Sequence, residues 1–261
     1  MEVRSLAWRT DLRLRELEGA SVSDLGDVLV VRKADQPDFR WGNFLLLSGA
    51  AADEGLNAAL ARFRTELPDC EHVAIGLDCP SGELGCFAGA AAVGLELEVN
   101  AVLAAAALTS PGRPAPDAEL RPLDSDSDWR EGTAVRAADD DGSEAGYRRF
   151  VEQQMLVARR VCERGEGTWF GAFRDGEMLA GLGIFRAGEG LARFQNVDTR
   201  AEHRRQGLAG HLLVAAAEHA RLRLGARRLV IVADPGYHAI EIYRSIGFRE
   251  IERQVQLERA R

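Results

Sequence analysis

Lysine is almost missing from this chain. Of its 33 basic residues one, Lys33, is a lysine and all others are arginine. The bias runs over the whole chain, so it reads as coding preference and not as a phosphate-binding signature. It leaves little room for lysine chemistry such as a Schiff base. Cysteine is scarce too. Cys70, Cys79, Cys86 and Cys162 include no CxxC pair, and Cys70, His72 and Cys79 lack the spacing of a zinc site, so no metal is expected. Long apolar runs are missing. The most apolar stretch, residues 86–108, is interrupted by Glu96, Glu98 and Asn100, and the first fifteen residues carry Arg9, Asp11, Arg13 and Arg15. Neither a membrane span nor a signal core fits, and a cytoplasmic protein with no membrane partner is expected. Positive charge is in deficit, with 33 basic against 41 acidic residues and a net charge of −8. Such a chain repels phosphate backbones, so nucleic acid is not an expected partner. Finally, there is no GxxxxGK[ST] and no GxGxxG, so neither a nucleotide triphosphatase nor a dinucleotide fold is supported.

What is present is ordinary globular composition: 261 residues, 46% hydrophobic and 28% charged. That length suits two small domains. A proline-rich stretch with Pro111, Pro114, Pro116 and Pro122 reads as a linker over 109–130, dividing the chain into 1–108 and 131–261. In the second part the pattern predicts a strand at 133–136 and a helix at 144–162. Strands follow at 169–173 and 178–185 about the Asp175-Gly176 turn, then a strand at 192–199. A helical stripe from Leu208 to Leu222, the apolar run 228–233, a helix at 237–246 and strands at 248–251 and 254–257 complete it. This order predicts an α/β architecture, one mixed sheet with helices on its faces. The first part predicts strands at 28–32, 44–47 and 73–78 and helices at 54–67 and 82–93. Residues from Ala88 and from Glu241 both run helix, glycine, apolar residue, charged residue, strand, which suggests a duplicated, tandem fold.

The strongest chemical signal is His203-Arg204-Arg205-Gln206-Gly207-Leu208-Ala209-Gly210, between a strand and a helix. A glycine-containing turn at a helix start leaves several N–H groups without carbonyl partners, and the helix dipole adds positive potential there. Small residues at 207 and 209 let an anion approach, and the arginines add charge. The chemistry this suits is grip on a phosphate or pyrophosphate. A solvated arginine pair beside a helix cap is the bland alternative. A second motif lies downstream: Ala239, Tyr243, Gly247 and Phe248 in the pattern A-x-x-x-Y-x-x-x-G-F.

Together these motifs resemble the GNAT superfamily of N-acetyltransferases. Arg204, Gly207 and Ala209 match its [QR]-x-x-G-x-[GA] signature, and the resemblance covers residues 131–261. The first part, with no such signature, resembles a degenerate GNAT-like half. The resemblance implies acetyl-CoA as co-substrate, held in a V-shaped opening between strands 192–199 and 228–233. Backbone groups of Val197, Asp198 and Thr199 would meet the pantetheine arm. Arg204, Arg205, Gln206, Gly207, Leu208, Ala209 and Gly210 would hold the pyrophosphate. Tyr243 would be the general acid for the leaving thiolate, although a core aromatic at that position is the alternative. The implied reaction is acetyl transfer to a primary amine of a small molecule or a protein, by a monomer or homodimer. A non-catalytic acyl-CoA-binding module is the rival. Two departures stand out. Asp234-Pro235-Gly236 replaces an asparagine often found before the last helix, and no general base is evident among Gln195, Asn196, Asp198 and Glu202. Simple strand alternation puts Gln195, Val197 and Thr199 on one face and Asn196 and Asp198 on the other.

Overall fold

The computed structural model describes residues 1–138 and 146–259, with the side chain of Cys86 left aside. Its elements begin α1 (Leu6–Leu17), β1 (Ser21–Asp24), β2 (Val28–Arg32), β3 (Phe44–Leu47), α2 (Gly49–Asp53), α3 (Leu56–Glu66), β4 (Val73–Leu77) and β5 (Glu96–Ala105). They continue β6 (Glu119–Pro122), α4 (Asp126–Arg136), α5 (Tyr147–Glu163), β7 (Gly167–Arg174), β8 (Glu177–Arg186) and β9 (Leu191–Thr199). The last are α6 (Leu208–Arg223), β10 (Arg228–Ala233), α7 (Ala239–Ser245) and β11 (Arg249–Arg259). The chain forms two compact units: Met1–Leu103 with Val232–Tyr237 and Glu250–Arg261, and Ala104–Ile231 with His238–Arg249.

In the first unit the strands follow the order β1-β2-β3-β4-β11-β5. β3 and β4 are parallel and joined through α2 and α3, while β11 lies antiparallel on β4, with Val255 opposite Leu77 and Leu257 opposite Ile75. The runs VLVV, FLLL and VAIGL are buried throughout, because this sheet is covered on both faces. One face packs Val30, Leu45, Phe63, Ile75, Val255 and Leu257 together. The other packs Leu29, Val31, Phe44 and Leu46 against Trp8. A Cβ at Gly76 would stand 2.4 Å from the Trp8 ring, so only glycine lets the indole lie on the sheet. Its Nε1–H donates to the Leu77 carbonyl at 2.8 Å. The start of α1 is fixed by the Ser5 hydroxyl, which accepts from the Trp8 N–H, and by Asp78, which accepts from the N–H of Ser5 at 2.8 Å. Glu252 of β11 accepts from the Ala7 N–H at 2.8 Å and so ties the last strand to the first helix. Lys33 is 2% exposed and donates to both carboxylate oxygens of Asp35 at 2.7 and 2.9 Å. Nearby, burial pushes the Glu18 carboxyl above its usual range, with Arg15 and Lys33 opposing.

In the second unit the order is β10-β9-β8-β7-β6. Only the β9–β10 pair is parallel, and α6 makes the crossover. α4 begins in a full capping box: the Ser125 side chain accepts from the Asp128 N–H, and Asp128 accepts from the Ser125 N–H. Asp128 also takes a two-pronged bond from Arg121 at 2.7 and 2.9 Å, and that guanidinium is the main reason its carboxyl sits below the usual range. His219 meets Thr168 at 2.9 Å and the Phe170 ring at 5.2 Å. Burial, then Arg223, push its imidazole below the usual value.

Several sequence expectations are corrected. The stretch 109–130 is not a free linker between 1–108 and 131–261. It belongs to the second unit and contains β6 and the start of α4. Pro122 is tolerated because β6 is an edge strand. The expected strand 133–136 is the end of α4, because the Ser125 cap starts a helix upstream. The helix expected from 144 begins at Tyr147, and residues 144–145 lie outside the described residues. Gly55, at φ 95°, divides the expected helix 54–67 into α2 and α3. The expected helix 82–93 is a 3-10 segment, Gly85–Val93, whose glycines favour no α-helix. The two closing strands are one, β11, and it pairs in the first unit, not with the strands of the second. α1 had no counterpart in the sequence reading.

Candidate functional site

β9 is the strand on which the site is built. The β8–β9 register shifts: Gly183 pairs with Gln195, but Gly181 pairs with Asp198. Two residues of β9, Asn196 and Val197, thus oppose one of β8, Leu182, which is a bulge. Asn196 carries it at φ 55°, a left-handed conformation that asparagine tolerates better than most residues. The simple alternation is therefore overturned. Gln195 and Asp198 stand opposite glycines two apart on β8, so they share a face, and Val197 sits where the antiparallel ladder is interrupted. The ladder of β9 with β10 joins Leu191, Ala192 and Arg193 to Arg228, Leu229 and Val230 and, among the described residues, goes no further.

The turn after β9 is strained in a specific way. Arg205 has φ 65° and Gly207 φ 86°. A left-handed arginine costs roughly 1–2 kcal/mol. Such strain persists where the surroundings hold it, often at functional turns. Gly207 is the residue before α6 and offers no side-chain cap. The N–H groups of Leu208, Ala209 and Gly210 therefore face outward at the positive end of a sixteen-residue helix. The arginines divide their roles. Arg204 turns back, its Nε–H donating to the Thr199 carbonyl at 3.1 Å, and so fixes the turn to the end of β9. Arg205 and Gln206 are exposed.

The corresponding turn of the first unit is different. β3 pairs with β4 up to Leu47 and Leu77, and Ser48 follows at once, its hydroxyl accepting from the Ala51 N–H at 3.3 Å. The helix start there is closed by its own side chain.

α7 packs against the start of α6, where Ile242 lies 3.7 Å from the place a Gly210 Cβ would take. Tyr243 is 6% exposed and meets the Phe248 ring edge-on at 6.3 Å. The turn before α7 is closed by Asp234, which accepts from the Gly236 N–H at 2.7 Å. Sequence reasoning missed three features. One is the Asn196 bulge, which an asparagine inside a strand could have signalled. Another is the ion pair of Asp198 with Arg136 of α4 at 3.2 Å. The third is the contact of Arg113 with this turn, where its Nη1–H donates to the Arg205 carbonyl at 2.8 Å. Among the described residues no group of three or more His, Cys, Asp or Glu is placed to hold a metal ion, and no helix is long and apolar enough to cross a membrane.

Comparisons with known proteins bear on the fold. The acetyltransferase (GNAT) family profile matches residues 136–248. A functionally unknown conserved protein from Staphylococcus epidermidis superposes with a TM-score of 0.74 at 12% identity, over 92% of this chain and 94% of that one. A GCN5-related N-acetyltransferase from Kribbella flavida gives 0.65 at 18% identity, over 97% and 96%. A tandem GNAT protein from the clavulanic acid biosynthesis pathway gives 0.58 at 16% identity, over 99% and 89%. The chain therefore has the tandem fold that such proteins share. No curated protein matches it.

Proposed function

We propose, from the membership of residues 136–248 in the acetyltransferase (GNAT) family, that this chain moves an acetyl group from acetyl-CoA to a primary amine by direct attack in a ternary complex. The family uses acyl-CoA as co-substrate and acts on amine acceptors, which makes the chain an acyl-CoA N-acyltransferase at the coarser level. One observation supports the finer reading: a bulged strand leads through a left-handed turn into a helix start with no side-chain cap. Extended backbone suits an amide-bearing arm, and an uncapped helix start suits a pyrophosphate.

The donor would supply a thioester carbonyl open to attack by an amine in its neutral form; as the C–N bond forms and the C–S bond breaks, the nitrogen sheds its proton to solvent water. The backbone of Val197, Asp198 and Thr199 binds and orients its arm. The turn from Arg204 through Arg205 and Gln206 to Gly207, with Leu208, Ala209 and Gly210, holds its phosphates. A Val197 N–H released from the ladder donates to the oxygen on which charge develops. Tyr243 gives its phenol proton to the departing sulfur. Asp198, held by Arg136, keeps a carboxylate beside the strand that an incoming cationic amine can meet.

Thermal unfolding with and without acetyl-CoA tests the donor. A ligand bound only to the folded state adds ~2.7 kcal/mol at a hundred times its dissociation constant. A rise is expected, followed by CoA thiol release with a panel of amines. No rise at millimolar acetyl-CoA would remove the donor. A rise with no turnover on any amine would leave a binding module.

A further inference from the structure

The segment just before β6 is drawn across the turn that begins α6. At one end the Thr109 N–H donates to the Ile246 carbonyl at 2.9 Å, just beyond α7. Pro111 then lies on α6, its Cγ 3.2 Å from where a Gly210 Cβ would stand. The carbonyls of Arg113 and Pro114 both lie 3.2 Å from His211 Nε2, which therefore acts as an N–H donor to the pair. Arg113 completes the strap. Its stem runs 3.7 Å from the position of a Gly207 Cβ, and its Nη1–H donates to the Arg205 carbonyl at 2.8 Å.

That last bond has a geometric consequence. In a trans peptide the carbonyl and the following N–H point in opposite directions. Holding the Arg205 carbonyl toward Arg113 turns the Gln206 N–H to the other side. A carbonyl that accepts from a guanidinium also polarises the N–H of its own peptide. Arg205 sits in an unfavourable left-handed conformation, so some outside contact must hold its peptide plane.

We propose that Arg113 is a positioning residue for the donor's pyrophosphate. It locks the 205–206 peptide so that the Gln206 N–H joins those of Leu208, Ala209 and Gly210 in one anion-facing set, and His211 holds the strap in place. This rests on the reading of the turn as the donor's phosphate site.

The test is binding of three probes to the full chain by calorimetry: CoA, dephospho-CoA, which keeps the pyrophosphate, and pantetheine, which lacks it. Arg113→Leu keeps the stem and removes the donor. It is expected to weaken CoA and dephospho-CoA about tenfold alike and to leave pantetheine unchanged, with Arg113→Lys recovering most of the loss. His211→Phe, which removes the bonds to the Arg113 and Pro114 carbonyls but leaves the Arg113 guanidinium in place, is expected to give the same pattern at about threefold and serves if Arg113→Leu fails to fold. The proposal is overturned if Arg113→Leu binds CoA as the parent does, or if pantetheine weakens in the same proportion. A parent chain that binds no CoA overturns the donor reading along with it. Unaltered binding by the variant overturns the role of Arg113 alone.

Discussion

Gly207 allows conformational cost and binding cost to be measured separately. It sits at the front of α6 with φ 86°, and Gly225 sits just past the back with φ 66°. A Cβ at Gly225 meets nothing within 4 Å, and the nearest atoms to one at Gly207 are those of Arg113 and His211 from 3.7 Å outward, which is ordinary contact. Alanine at either site therefore pays the left-handed penalty and little else, about 1–2 kcal/mol. At ~2–4 °C per kcal/mol for a chain of this size, both variants should melt a few degrees lower than the parent without ligand. They should differ once CoA is present. The parent and Gly225→Ala gain ~2.7 kcal/mol at a hundred times the parent's dissociation constant. If alanine at 207 disturbs the turn enough to weaken CoA tenfold, the same concentration gives Gly207→Ala only ~1.4 kcal/mol. Half of the ligand-induced rise should thus vanish in one variant and none in the other. The assay is scanning fluorimetry at fixed CoA. Equal rises in all three proteins would refute the assignment of this turn to the donor's phosphates.

Other outcomes follow from the same structure. Tyr243→Phe should lower kcat by about 10²–10⁴ and leave CoA affinity unchanged; full turnover would assign Tyr243 to the core alone. Leu257→Ala should cost ~2–5 kcal/mol, because Leu257 is fully buried in the first unit, and hydrogen exchange should speed up in Val73–Leu77 of the neighbouring strand. Asp128→Asn should destabilise the chain most at neutral pH and somewhat less at pH 3. The Asp128 carboxyl is lowered chiefly by Arg121, so its contribution is present above the unfolded value of ~3.9 and fades as pH falls through the folded value. Urea denaturation at both pH values measures this. The Cys162 thiol, pushed up to about 12 by burial, should resist iodoacetamide at pH 8 until the chain is unfolded.

The parts legible in the sequence were those with local chemistry. The Asp175-Gly176 hairpin, the apolar strands 28–32 and 44–47 and the Leu208 stripe lie where their patterns put them. The turn at Arg204–Gly210 could be read because glycine spacing and a following helical stripe are written in adjacent residues. What escaped was set by distant partners. The Ser125 cap and the Arg121–Asp128 pair turned a β-branched stretch near Thr133 into helix. β11 pairs with a strand more than 170 residues earlier, a choice no local pattern encodes. The bulge at Asn196 reversed the facing of Asp198, because one inserted residue shifts a period of two. Arg113 looked like part of a flexible stretch of prolines, and its bond to the Arg205 carbonyl joins residues 92 positions apart.

The burial of Lys33 has a practical consequence. With its sole lysine 2% exposed and engaged by Asp35, the folded chain offers acylating reagents no side-chain amine. With the proposed acyl-transfer activity, the protein would thereby have few sites for marking itself. In a mixture with a lysine-bearing acceptor, acetyl groups found on lysine by mass spectrometry would report on the acceptor against an almost blank background. Digestion after arginine would cut this chain almost everywhere that trypsin can. The scarcity with which the sequence began makes the protein a quiet partner in the assay that would identify its substrate.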